Sequence, residues 1–333
     1  MEAGLPAESS QAGLEVLTIG ETMLLVTPED GLPLSPNSRC LLRPAGAESN
    51  VAMQLAALGH RVGWASRLGN DPLGTLVLEG IARSGVDVSA VERTTDPTGV
   101  FFKNPGTVGT TVHYYRAGSA ASTMDATFLL SLSAAAHLPV VHITGITPAL
   151  SSGCRELVDA LLVRRVLGDA LVSFDVNFRP VLWGPEAPDA LLGYARLADI
   201  TFVGRDEAEV LWGTKTAADI RTLIGSEPQL VVKDADQEAV SFTPRGETHE
   251  PALPIEVVEP VGAGDAFAAG WLAGLLRGLD DATRLRLGHK VAASVLVSTS
   301  DHGVLPPAAE LRRLFDITPE EWDRRVDVRE DRT

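Results

Sequence analysis

The chain has 333 residues, of which 45% are hydrophobic, enough for one large core, which excludes disordered and disulfide-stapled classes. A net charge of −16 argues against nucleic acid or an anionic membrane as partner, so any anionic ligand must be drawn by local basic residues. Cys40 and Cys154 offer neither a disulfide framework nor metal-ligand spacing and fit a reducing cytoplasm, and MEAGLPAESSQAG lacks the basic and apolar regions of a secretion signal.

Taken in chain order, residues 1–13 read as a loose end and Val16–Ile19 as the first strand. Glu21–Arg43 stays strand-like without a helix. From Ala45, AGAESNVAMQLAALG sets small residues before a helix over Asn50–Leu58, with Ser49 ahead of it and Gly59 behind. Val62–Ala65 is a strand; Asp71-Pro72 then opens a helix over Pro72–Ser84 that Gly85 stops. Thr98–Arg116 is a second strand-like excursion, in which VFFKN and TTVHYYR read as a hairpin around Pro105-Gly106. The most apolar window, Phe128–Ile146, carries His137, Pro139 and His142 and is no membrane span. Strands at Val140–Thr144, Leu171–Asp175, Ile200–Val203 and Leu230–Val232 alternate with helices at Ser152–Val166, Ala187–Leu197 and Arg205–Trp212. Such alternation predicts an α/β fold, a central mostly parallel sheet with helices on both faces. The excursions, about 21–43 and 98–116, predict a small separate sheet, either a lid over an active site or an edge extension. The charged stretch 318–333 reads as a loose end or surface helix.

Near the end of the chain, EPVGAGDAFAAGW runs from Glu259 to Trp271. Ile255–Val258 before it is β-rich, and Ala263–Leu276 is helix-friendly, so the stretch reads strand, glycine turn, helix. Such a turn can converge backbone N–H groups on an anion at a helix N-terminus, with Asp265 taking a proton from an attacking hydroxyl. It can equally be a tight turn capped by Asp265. A dinucleotide fingerprint is a weaker rival, because Phe267 stands where its third glycine belongs. No Walker-type phosphate loop is present in the sequence. In FDVNFRP, the polar Asp175, Asn177 and Arg179 fall where a strand leaves the sheet, the usual ligand end of open α/β sheets. The pairs His137 with His142 and His289 with His302 lack partners at metal spacing and read as structural.

AGAESNVAMQLAALG and, far downstream, GAGDAFAAGWLAG together resemble the paired signatures of the ribokinase-like (PfkB-type) carbohydrate kinases, and the likeness spans about Leu14–Phe315. GETMLLVTP, AESN, YYRAGSAAS and DVNFRPVLW resemble the 2-keto-3-deoxygluconate kinases within that family. The resemblance implies one kinase domain over 14–316 with the lid strands inserted. It implies that Gly262, Ala263 and Gly264 form an anion hole for the transferring phosphoryl group and that Asp265 is the catalytic base. Gly46, Ala47, Glu48, Asn50, Phe101, Tyr114, Arg116, Arg179 and Asp265 would contact the sugar. Asn177, Arg179, Lys233, Asp234, Gly262 and Gly264 would face the nucleotide. ATP and magnesium are the implied cofactors.

The sequence departs from the family pattern in several places. The Asn-x-x-Glu motif linked to magnesium is Gly204-Arg205-Asp206-Glu207, which leaves Glu207 as an indirect magnesium residue. The nucleotide loop is Lys233-Asp234-Ala235-Asp236-Gln237-Glu238, with both glycines lost and acids that repel phosphate unless they turn away. Phe101 takes the place of a lid tyrosine. Glu259 replaces the aspartate before the anion hole, which puts a monovalent cation in question. The expectation is ATP-dependent phosphorylation of the terminal hydroxyl of 2-keto-3-deoxygluconate in the cytoplasm, by a homodimer or higher homo-oligomer paired through lid edges. Kinases for fructose, ribose or a nucleoside, and a non-catalytic sugar-binding homologue, are the alternatives.

Overall fold

The structure, a computed structural model, describes residues 13–106, 109–132, 138–298, 305–313 and 317–326. In chain order the elements are β1 (Val16–Ile19), β2 (Met23–Pro28), β3 (Cys40–Ala45), α1 (Ala47–Ala57), β4 (Val62–Gly69), α2 (Pro72–Arg83), β5 (Val91–Thr94), β6 (Val100–Gly106) and β7 (Gly109–Tyr115). Next come α3 (Ala126–Leu132), β8 (Val140–Thr144), α4 (Ser152–Leu162), β9 (Leu171–Asp175), α5 (Ala187–Leu197), β10 (Ile200–Gly204), α6 (Arg205–Trp212) and α7 (Ala217–Ile224). The remainder is β11 (Gln229–Asp234), β12 (Glu238–Thr243), β13 (Gly246–Pro251), α8 (Ala263–Leu276), α9 (Asp281–Leu296), α10 (Ala308–Arg313) and α11 (Pro319–Val326).

The main sheet has the order β13-β12-β11-β10-β9-β8-β1-β4-β5. It is parallel from β5 to β11, and an antiparallel hairpin, β12 and β13, closes one edge. From β1 the chain builds outward through β4 and later returns to the other side through β8. That reversal opens a crevice at the carboxyl ends of the strands, where open α/β sheets bind ligands. The central strands are short and apolar because both faces are covered. One face packs Phe174, Leu157, Leu191 and Leu230 under α3–α7, and the other packs Trp64, Phe202, Trp271 and Leu272 under α1, α2, α8 and α9. Trp64 and Trp271 are wholly buried, and side chains of this size each contribute about 4–6 kcal/mol of apolar burial as an upper figure.

The two strand-like excursions form a second sheet, β3-β2-β6-β7, with its own small core of Met23, Leu25, Ala45 and Phe101. The hairpin register pairs Pro105 with Thr110 and Gly106 with Gly109, so Pro105-Gly106 belongs to strand β6 rather than to the reversal expected there.

Several expectations need correction. Ile255–Val258 is not a strand: Pro254 and Pro260 bracket it, the Val258 N–H goes to the Leu296 carbonyl in α9 rather than to a neighbouring strand, and Val257 and Val258 are exposed rather than packed. The helix after Ser151 stops at Leu162, short of Val166, because Arg165 turns to a left-handed φ of 51°. The first signature helix starts at Ala47, three residues before Asn50, with Gly46 as its N-cap. Residues 319–326 are not a loose end, since α11 docks Trp322, fully buried, whose indole donates to the Pro251 carbonyl. Residues 1–12 and 327–333, with His137 and His302, lie outside the described residues.

Candidate functional site

The polar cluster is built at the carboxyl ends of the strands by loops that the sheet brings together. Gly46, in extended conformation, ends the lid junction and caps α1; a Cβ there would lie 2.2 Å from the Glu21 carbonyl oxygen, so only glycine allows the lid to enter so closely. α1 then carries Asn50 inward, and its amide donates to Asp265 Oδ2 at 2.8 Å. From the end of β9, Asn177 reaches the other oxygen, Oδ1, at 3.3 Å, with its backbone at a left-handed φ of 38°. Thus Asp265 accepts from two amides contributed by distant segments, and Asn177 orients this carboxylate.

Gly262 starts α8 with φ 86°, a conformation that favours glycine. The N-cap of α8 is Gly262 and Asp265 is the third residue of the helix, so Asp265 does not occupy the cap position of the alternative reading. The Ala263 N–H is directed to the Pro260 carbonyl at 3.3 Å, which corrects its expected place in the anion hole. The N–H groups of Gly264 and Asp265 lie in the first helical turn, where no intrahelical carbonyl reaches them, and face outward with the positive end of the helix dipole. Lys233 stands beside them: a Cβ on Gly264 would be 3.4 Å from its Nζ.

Charge in the cluster is balanced by opposition. Burial, opposed by the Asn50 hydrogen bond and reinforced by Asp175, raises Asp265 to about 7. Burial alone would lower Lys233, but Asp175 and Glu207 outweigh it and hold the ammonium above its ordinary value; it donates to Asp175 Oδ2 at 2.8 Å. Asp175 Oδ1 is buried without a partner among the described residues. Glu207 is raised by burial and then by Asp175.

The placements of the other expected residues are mixed. Phe101 is buried and stacks at 5.3 Å on Tyr114, which is half exposed on the lid. Arg116 is not a free anion receptor, because the buried carboxylate of Glu21 pairs with it and Tyr114 lies under its guanidinium at 5.9 Å. Its Nε remains buried without a partner among the described residues. Ala47 lies in the first turn of α1, whereas Glu48 points away from the cluster: its Oε1 accepts from the Thr144 N–H and from the hydroxyls of Thr144 and Thr147. Burial holds its carboxyl above the ordinary value. Arg179 is exposed and among the described residues donates to the adjacent Phe178 carbonyl at 3.1 Å, yet its charge is felt by both Asp265 and Glu207.

The altered motifs have structural answers. Asp234, expected at the nucleotide, is held at 2.7 Å by Arg205, so its charge is neutralised rather than set against phosphate. Both oxygens of Glu207 accept backbone N–H groups, from Gly204 at 2.9 Å and Phe178 at 3.0 Å. At Gly204 a Cβ would meet Asp206 Oδ1 at 2.7 Å, so an asparagine there would displace that carboxylate. Of the histidines read as structural, the two within the described residues are buried among protein partners: His142 bonds Ser173, His289 bonds the Glu250 carbonyl, and burial lowers each to about 4. Among the described residues, no group of three or more His, Cys, Asp or Glu side chains converges as a metal cage. A surface pocket bounded by Ser151, Arg155, Glu156, Asp159, Leu182 and Glu186 contains none of the cluster residues. Sequence reasoning missed Lys103 and Glu21, whose only signal is a charge within an otherwise apolar or β-rich run.

Residues 14–306 match the pfkB family of carbohydrate kinases. The chain is 36% identical over 308 residues to the 2-dehydro-3-deoxygluconokinase of Bacillus subtilis (strain 168), covering 90% of this chain and 94% of that protein. Among solved structures it is similar to the PfkB protein from Polaromonas sp. JS666, with a TM-score of 0.76 and 35% identity over 90% of this chain and 99% of that one. A putative ribokinase II from E. coli, solved in complex with ATP and magnesium, shares the fold with a TM-score of 0.79 at 23% identity, over 91% of this chain and 99% of its own.

Proposed function

The chain belongs to the pfkB family of carbohydrate kinases, and we propose that it transfers the terminal phosphoryl group of ATP to the terminal hydroxyl of 2-keto-3-deoxygluconate. The observation that carries the chemistry is a buried carboxylate, Asp265, raised to about 7 and held by two amides in the first turn of a helix whose N–H groups face outward. That is a poised general base beside an anion site.

Asp265 takes the proton of the acceptor hydroxyl, whose oxygen forms a bond to the γ-phosphorus as the bond to the bridging oxygen breaks and ADP leaves. Charge on the transferring group is met by the Gly264 and Asp265 N–H groups, the α8 N-terminus and the Lys233 ammonium. Asn50 and Asn177 hold the base in place. Gly46, Ala47, Phe101 and Tyr114 line the acceptor side, with the lid sheet above. Arg179, with no acid partner among the described residues, is the group best able to bridge acceptor and nucleotide. For an acidic acceptor, Arg116 offers its unpartnered Nε, although Glu21 already offsets part of its charge.

Magnesium, when bound with ATP, neutralises phosphate charge. The donor set fits an ion carried mainly on the phosphates: Asp175 keeps one buried unpartnered oxygen, whereas the Glu207 oxygens are occupied by backbone donors. Glu207 therefore shapes the loop. Glu259 is engaged by Lys103 and the Val261 N–H, and the reaction as proposed uses no monovalent cation there.

We further infer that subunits pair through the lid, whose outer surface exposes Leu42 and Tyr115 and leaves β3 and β7 as open edges. Sedimentation at micromolar concentration tests this, and a monomer would refute it. ADP release over a panel of sugar acids and neutral sugars tests the reaction: preference for the 2-keto-3-deoxy acid supports it, and preference for fructose, ribose or a nucleoside overturns the acceptor assignment.

A further inference from the structure

The Lys103–Glu259 contact has no part in the reaction derived above. Lys103 lies on lid strand β6, two positions after Phe101 and on the same face, and is 4% exposed. Its ammonium donates to Glu259 Oε2 at 3.1 Å, and the other carboxylate oxygen accepts from the Val261 N–H at 3.2 Å. Val261 immediately precedes Gly262, the residue that opens the phosphoryl-binding turn. The approach to that turn has no strand pairing and is tied to the fold through the Val258 and Glu259 N–H groups at the Leu296 carbonyl. The anion-hole turn is therefore shaped by Glu259, and Glu259 is gripped by a lysine of a separately packed lid.

Lys103 is buried and Glu259 partly so, and for stability alone such an ammonium–carboxylate pair gains little, because desolvation offsets attraction. Breaking one is costly, however, since it leaves a buried charge unpaired. A pair that spans two packed units therefore fixes their relative position. We propose that Lys103 is a positioning residue for phosphoryl transfer: through Glu259 it sets the Gly262–Asp265 turn when the lid lies over the acceptor, so the phosphoryl site is complete only with the lid closed. The inference rests on the kinase reading above. Its consequence is selectivity against water, because ATP bound under an open lid meets an incomplete anion hole.

The test compares Lys103→Met, Glu259→Gln, their double variant and Lys103→Arg in the full-length protein. Each single neutral variant should lower kcat by about 10–100-fold, the scale of a misplaced reacting group. The calorimetric Kd for the acceptor should stay within about threefold, the signature of a transition-state rather than a binding loss. The double variant should fall no further than either single one, and Lys103→Arg should restore most of the rate. Amide hydrogen exchange over 252–264 should quicken in Lys103→Met whether or not ATP turns over. Losses that multiply in the double variant, a loss confined to acceptor KM, or unchanged kcat would overturn the proposal. Should Lys103→Met not fold, Glu259→Gln, which keeps the lysine, carries the same expectations. Wild-type protein inactive on every acceptor would refute the kinase reading, while the exchange measurement still decides whether lid and turn are linked.

Discussion

Replacing Asp265 by Asn removes the charge of the base and keeps its shape. The Asn50 and Asn177 amide oxygens are both buried without partners among the described residues, so either amide can turn to receive the new N–H donors. The acceptor should therefore bind as before, while kcat falls by about 10²–10⁴, the usual contribution of a general base. Stability should move the other way. The folded carboxyl titrates at about 7 against an ordinary 3.8, so the native state holds a proton that the unfolded chain releases. A raised acid stabilises the fold fully below about pH 4, and that stability is lost as pH rises towards 7. About 3 pH units at roughly 1.4 kcal/mol each set an upper bound of about 4 kcal/mol on burying the charge at pH 8. With the amide's own burial set against that bound, Asp265→Asn should gain about 1–3 kcal/mol at pH 8 and nothing at pH 4. Calorimetric Tm at both pH values, with kcat at pH 8, makes the measurement. Near-normal turnover, or a variant less stable than wild type at pH 8, would refute the reasoning.

Other consequences follow from the same geometry. In wild type, kcat/KM for the acceptor should rise with pH to a plateau above about 7, as the free protein's Asp265 ionises, and a pH–rate profile flat from 5 to 8 would contradict this. Arg116→Leu strands the buried Glu21 carboxylate and should cost about 3–5 kcal/mol in a denaturant melt; adding Glu21→Gln should recover part of it. Arg179→Leu, at an exposed position, should leave stability within about 0.5 kcal/mol yet lower kcat/KM by about 2–4 kcal/mol in steady-state assays. Trp322→Ala should cost about 3–5 kcal/mol by undocking α11 while kcat at 25 °C is kept.

Much of the sheet was readable from local pattern. β1, β8 and β9 fall on their expected bounds because each is an apolar run that the sheet buries, and α5, α6 and α8 fall on theirs as runs of helix-forming residues, α8 buried nearly all round. α9, β12 and β13 were not read: α9 buries Arg284, Arg286 and His289, whose polarity masks the period. Trp322 lies in a run so charged that nothing local marks its burial.

At the site, the glycine turn and its aspartate were legible as residues, because helix-start chemistry is local: Gly262 supplies the positive φ, and the first turn supplies the donors. What the carboxylate does with its proton was not. Asn50 and Asn177 lie 215 and 88 residues away in sequence, and the rise to about 7 comes from burial and from Asp175, neither of which the motif contains. The same limit applies to charge. The sequence showed extra acids in the nucleotide loop, but only the tertiary structure sets Arg205 on Asp234, Glu21 on Arg116 and Lys103 on Glu259. Composition and period determine which segments become strands and helices, since those depend on near neighbours. Which charges cancel depends on separations of a few ångströms between distant segments, where Coulomb energy and desolvation change most steeply, and only the folded chain sets those separations.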